Sequence, residues 1–276
     1  MTPRAAALAF AASAVAAAAA FAHDFWLAPS SFRPKAGDEV SVRLLVGEDL
    51  TGESRKREEA RIESFEARGP GDVAIPVGGR TGDDPAGRVK LPADGTWVVG
   101  FRSKPTAITV DARKFEDYLR HEGLDRIAQE RERLGERERT GQELYARCAK
   151  AILCVGTGDP GEAGRRLGLR LEIVPETNPY RAAAGDEITF RTWFDDRPVE
   201  GLLVRGVPDA SRKDAVEART DAEGRVKLRL AHPGPWFVGG VHMIRSDAKR
   251  TYADWESFWA SVTFDLAERP KPGAPR

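Results

Sequence analysis

Ala36-Gly37-Asp38-Glu39-Val40 recurs as Ala184-Gly185-Asp186-Glu187-Ile188, and a β-rich stretch follows each copy. Further along, Gly87-Arg88-Val89-Lys90-Leu91 has a counterpart in Gly224-Arg225-Val226-Lys227-Leu228. Gly95-Thr96-Trp97-Val98-Val99-Gly100 has one in Gly234-Pro235-Trp236-Phe237-Val238-Gly239. Three landmarks in one order mark an internal repeat. Val40, Val42, Leu44 and Val46 alternate with residues for the opposite face, and Val262, Phe264 and Leu266 alternate with Thr263 and Asp265. That is the period of a strand, and Gly, Pro and Asp punctuate the runs as turns. The expected fold is all-β with a helical connector: two repeated antiparallel Ig-like or transthyretin-like β-sandwich domains, at 23–110 and 169–266.

The connector, 111–168, reads as helical from Asp111 to Ile152. Phe115, Tyr118 and Leu119 share one face at i, i+3, i+4, and the run from Arg126 to Arg139 is almost wholly charged, which predicts a solvated helix face. Cys148 and Cys154 are the two cysteines. In one helix, six residues of rise would hold them ~9 Å apart, beyond the ~7 Å Cα limit of a disulfide. A bridge therefore requires the helix to end between them. The Pro-rich tail, 267–276, is expected to be disordered.

Arg4, the Ala-rich run from Ala5 to Phe21 and the small residues of Ala20-Phe21-Ala22 compose a secretory signal peptide over residues 1–22. Cleavage after Ala22, favoured over a cut after Ala20, leaves His23 as the amino terminus of a periplasmic or secreted chain. No later stretch approaches ~18 apolar residues, so no membrane anchor is expected in the mature chain. Lys+Arg and Asp+Glu both number 43, a balance with no overall pull on nucleic acid. With two cysteines there is neither a disulfide-dense scaffold nor a Cys-based zinc site.

The histidines are His23, His121, His232 and His242. A terminal histidine can offer its α-amino nitrogen and imidazole Nδ1 to one ion, closing a chelate that an internal histidine cannot form. Both groups are neutral donors at mildly alkaline pH, and nitrogen donors suit Ni(II), Co(II), Cu(II) and Zn(II). His242 is the best second donor, sharing strand parity with Trp236, Val238 and Gly240. His232 belongs to a turn and His121 to the connector. Asp254-Trp255-Glu256-Ser257-Phe258-Trp259 joins two carboxylates to three aromatics, so Asp254 or Glu256 could complete a nitrogen-based site while the rings exclude water. A site using both His23 and His242 has to form where the two sandwiches meet.

No Gly-x-Ser-x-Gly elbow, His-Glu-x-x-His helix or phosphate-binding Gly-rich loop occurs, and the expected role is non-enzymatic. A histidine brace holding copper for oxidative attack on polysaccharides is the one enzymatic alternative. The motifs His23-Asp24-Phe25-Trp26-Leu27, Pro34 to Glu39, Asn178-Pro179-Tyr180, Ala184-Gly185-Asp186, Pro233-Gly234-Pro235-Trp236, Val241-His242-Met243 and Asp254 to Ser261 together resemble a bacterial exported domain-of-unknown-function family. That family is commonly labelled the periplasmic component of nickel/cobalt uptake. The resemblance implies β-sandwich domains, periplasmic location, capture or delivery of Ni(II) or Co(II), a membrane transporter as partner, and His23 and His242 as ligands. Copper handling through the terminal chelate, or a structural module without metal, are the rival readings.

Overall fold

The computed structural model describes residues 23–157, 161, 163–247 and 251–269. The expected signal peptide and residues 270–276 of the tail lie outside them. One four-stranded sheet contains β1 (Asp24–Pro29), β2 (Glu39–Glu48), β3 (Thr51–Arg55) and β6 (Gly87–Lys90). Its counterpart contains β10 (Leu171–Pro175), β11 (Glu187–Phe194), β12 (Arg197–Pro198) and β15 (Arg225–Arg229). Between them runs a nine-stranded sheet. Its first-half members are β4 (Ile62–Arg68), β5 (Ala74–Pro76), β7 (Gly95–Ser103) and β8 (Thr106–Val110). Its other members are β9 (Gly141–Val155), β13 (Leu203–Pro208), β14 (Val216–Arg219), β16 (Gly234–Arg245) and β17 (Trp255–Leu266).

The repeat motifs make the same bonds twice. Gly37 and Gly185 take φ of 87° and 92°, where a side chain would be strained. Their N–H groups donate to the carbonyls of Leu91 (2.7 Å) and Leu230 (2.6 Å). The following aspartates, Asp38 and Asp186, accept from the backbone three residues earlier, at Lys35 and Ala183, both at 2.9 Å. Trp97 and Trp236 are buried, and their indole N–H groups reach the carbonyls four residues back, of Ala93 (2.9 Å) and His232 (2.8 Å). In these bonds Leu91 corresponds to Leu230, and Val40 pairs Val89 as Ile188 pairs Leu228. The Gly87 and Gly224 landmarks are thus offset by two residues. A shift of two preserves the inward face, which is why the pattern survives it.

The two sandwiches are fused. β17 pairs with β9 in parallel, from Trp255↔Glu143 to Thr263↔Ala151, and this joins the sheets of both halves into one. The small sheets lie on opposite faces of it. Ala149, Ala151, Leu153 and Val155 of β9 pack in the first core with Leu27, Val42 and Trp97, while Cys148 and Ile152 pack in the second with Ile188, Phe190 and Trp236.

This corrects the expectation of a helix through Ile152. Among the described residues of the connector, helix covers α1 (Ala112–His121) and α2 (Asp125–Arg133), and Gly141–Val155 is the central strand. Its Ala, Leu, Arg and Lys residues favour helix in isolation. Burial on both faces, with small alanines admitting a layer on each side, overrides that preference. Phe115, Tyr118 and Leu119 do form the buried face of α1, against Val241, Trp255 and Trp259. The charged run is not uniformly solvated either. Arg131 is 1 % exposed, bonds Glu116 and the carbonyls of Glu136 and Arg139 at 2.7–2.8 Å, and lies over the Phe115 ring. Among the described residues, no helix is long and apolar enough to cross a membrane.

Candidate functional site

β1 is the edge of its sheet, paired with β2 on one side only. The carbonyls on its open side are taken up by side chains of the large sheet. Thr263 donates to Leu27 (2.8 Å), Ser261 to Phe25 (2.7 Å) and Arg147 Nη1 to His23 (2.9 Å). Acceptors at 23, 25 and 27 follow the period of the strand, so the start of the described chain is fixed in the seam between the sheets. The Arg147 guanidinium sits among the rings of Trp259 (4.6 Å), Tyr145 (5.2 Å) and Phe25 (5.8 Å). Each aromatic face offers it partial negative charge.

Beside Arg147 lies a buried polar network. Glu143 accepts from Ser257 and from the Tyr118 hydroxyl (3.3 Å), and Trp259 donates to Ser257 (3.2 Å). Tyr118 also stacks on Trp259, with ring centroids 5.7 Å apart. Asp24 and Glu122 line a cavity of about 10 Å³ with Arg205, Gly239, Gly240 and Trp259, room for about one water. Burial raises the pKa of Asp24 despite the attraction of Arg205 and Arg147. Glu122 is pushed up to about 8, by burial and by the nearby Asp24 charge. His23 Nδ1 and Asp24 Oδ2 are buried without a hydrogen-bond partner.

His242 lies across the sheet from this seam. Along β16, Trp236 and Val238 enter the second core, whereas Phe237 meets Trp26 of β1 and Val241 meets the helices. His242 has the parity of Trp236 and packs against Phe194, ring centroids 4.5 Å apart. Burial, reinforced by the Arg126 charge, lowers its pKa to about 4, so its imidazole is neutral near pH 7. On the same face Arg170 holds Asp195 (2.9 and 2.6 Å) and Glu256 (3.4 Å), and stacks on Phe258 (4.2 Å). Asp254 uses its backbone, bonding the Gln142 carbonyl and the Ser246 N–H. His232 contacts Asp214 at 2.9 Å, and His121 is exposed.

The structure therefore brings His242 and Glu256 to one face of the large sheet and His23 to the other. The shared His23/His242 site expected at the meeting of the sandwiches does not form, because the meeting is a continuous sheet whose alternating side chains diverge. Among the described residues no group of three or more His, Cys, Asp or Glu side chains is arranged to hold a metal. His23 Nδ1 is buried without a hydrogen-bond partner, and among the described residues no cluster of histidines surrounds it. Sequence reasoning missed Arg147 and Glu122. Arg147 was hidden in a stretch with helical composition, and Glu122 among the many charges of the connector.

The D0-D1 domain of intimin is 14% identical, with a TM-score of 0.21, over 87% of this chain and 97% of that one. The FN1-FN3 domains of chicken CNTN1 are 9% identical, with a TM-score of 0.21, over 89% and 68%. Trypsin-activated alpha-2-macroglobulin from Escherichia coli is 10% identical, with a TM-score of 0.22, over 90% and 16%. No curated protein matches the chain. Residues 20–244 match the family described as Domain of unknown function (DUF4198), and the chain, with its repeated sandwich motifs and its His23-Asp24 seam, belongs to that family.

Proposed function

We propose that the protein is an exported, periplasmic metal-binding protein that captures or hands over Ni(II) or Co(II), in concert with a membrane transporter. The observation that carries this reading is the buried, unpartnered Nδ1 of His23, followed in the chain by Asp24 with its own unpartnered Oδ2, at a position where signal-peptide cleavage would create an α-amine. His23 would supply amine and imidazole nitrogens, and Arg147 would hold its carbonyl. Cu(II) follows as the nearest rival ion, since nitrogen donors favour it further. The absence of a three-side-chain cluster among the described residues favours a second reading, a tandem-sandwich interaction module without metal.

The test begins with mass spectrometry of the exported protein's amino terminus. Ni(II), Co(II) and Cu(II) are then titrated by calorimetry into the mature chain and into a variant with one extra amino-terminal residue. The terminal chelate predicts that the extension abolishes tight binding. Equal affinity in both proteins rejects it, and no binding in either supports the interaction module.

A further inference from the structure

A groove of about 760 Å³ runs along the far half of β16, away from His23. That volume is in the range of ligand sites, and its floor is unusual. β13 pairs with β16 only from Arg205↔Gly239 to Pro208↔Trp236. The Leu203 carbonyl then closes over Gly240, where an added Cβ would come within 2.6 Å of it. From Val241 to Arg245 the strand has β17 on one side and no strand on the other among the described residues. An open edge presents alternate N–H and C=O groups ready to pair with another chain. Five such residues offer about 17 Å of template.

The walls determine what fits. α2 covers the Val241 and Met243 face, and the segment Val199–Leu203 forms the opposite side. On the α2 wall Asp125 is bound by Arg219 (2.6 Å), and Glu130 lies in the field of Arg245, which Glu136 grips at 2.8 and 2.9 Å. Arg126 and Arg133 are exposed, with no ion-pair or hydrogen-bonding partner among the described residues. Seven residues apart, they lie on one face of α2, about 10 Å along its axis. Glu200, whose side chain has no hydrogen-bonding or ion-pair partner among the described residues, stands on the opposite wall beside Gly201. A second copy of this chain would bring its own α2 and 199–203 walls against these, so a slim segment fits the recess better.

We propose that this groove binds an extended acidic peptide by strand addition to Val241–Arg245. Alternate side chains of the added strand point to opposite faces. Acidic residues at every second position face Arg126 and Arg133, and apolar residues between them lie beside His242 and Ile244, the half-buried side chains on the other face of β16. Main-chain bonds supply affinity and the charges set the preference. This site is independent of metal binding at His23.

The probes are a fluorescein-labelled Asp-Val-Asp-Val-Asp peptide, its Lys-Val-Lys-Val-Lys counterpart, and the acidic peptide N-methylated at alternate amides. Each is titrated by anisotropy into the mature chain and into an Arg126→Glu/Arg133→Glu variant, whose folding is checked by thermal unfolding. Saturable binding of the acidic peptide is expected, several-fold tighter than the basic one and weakened by salt. N-methylation should abolish it, the double variant should reverse the charge preference, and the Val241–Arg245 amides should exchange more slowly in the complex. Absence of saturable binding, an unchanged preference in the variant, or equal binding of the N-methylated peptide overturns the proposal. So does protection of the same amides by self-association without peptide binding.

Discussion

Arg147 Nη1 donates to the carbonyl of His23 at 2.9 Å, tying the central strand of the fused sheet to the first residue of the mature chain expected from the sequence. The guanidinium is enclosed by three rings and cannot be replaced by a point charge of similar sign. Arg147→Met should lower stability by about 2–3 kcal/mol in urea unfolding, the cost of a lost charged hydrogen bond and of acids left uncompensated. Arg147→Lys should recover only part of this. If both variants unfold with the wild type, the seam is not held here.

Glu122 has a pKa of about 8 in the fold, above its ordinary value of 4.5. The folded state therefore keeps a proton that the unfolded chain has lost, and stability falls as pH rises from about 4.5 to about 8. The loss is expected to be on the order of a few kcal/mol. Glu122→Gln, neutral throughout, should be more stable than the wild type at pH 8.5 and should flatten the slope. Thermal melts from pH 5 to 9 would show it, and an unchanged slope would place the titration elsewhere.

His242 shows the opposite dependence. Its pKa falls from 6.5 to about 4 on folding, so the unfolded chain takes up the proton first and stability is lost as pH drops from 6.5 towards 4. His242→Phe should retain more stability than the wild type at pH 4.5, by about 2–3 kcal/mol, and differ little at pH 7.5. The same variant should leave metal affinity intact, since His242 lies across the sheet from His23. A drop in Ni(II) affinity would contradict that geometry.

Gly37 and Gly185 carry one conformation in two repeats. Each Gly→Ala substitution should cost about 1–2 kcal/mol through φ strain, with no steric addition at Gly37, where a Cβ meets nothing within 4 Å. Similar losses in denaturant midpoint would confirm the equivalence. A neutral effect at either site would break it.

Cys148 and Cys154 stand six residues apart on one strand, about 20 Å in extended chain. No bridge between them can form within the fold, and both are free thiols. Burial raises the Cys148 pKa to about 11. Two thiols should react with Ellman's reagent in denaturant, and Cys148 should not react in the native protein. Identical unfolding with and without reductant is expected.

The repeat, its turn glycines and the inward faces of its strands are legible along the chain, because a glycine at positive φ, a short hydrogen-bonding aspartate and an alternating apolar pattern act within a few residues. The buried face of α1 is legible for the same reason. The identity of β9 as a strand, and hence the fusion of the sandwiches, depends on tertiary packing. Alanine, arginine and leucine prefer helix until two hydrophobic layers close on them. That fusion also separates His23 from His242 across one sheet and places Arg147 and Glu122 beside the chain's first described residues. Such long-range contacts carry no periodicity along the chain, whereas a histidine's strand parity does. Parity revealed which face His242 occupies along its strand, and only sheet order revealed what lies opposite.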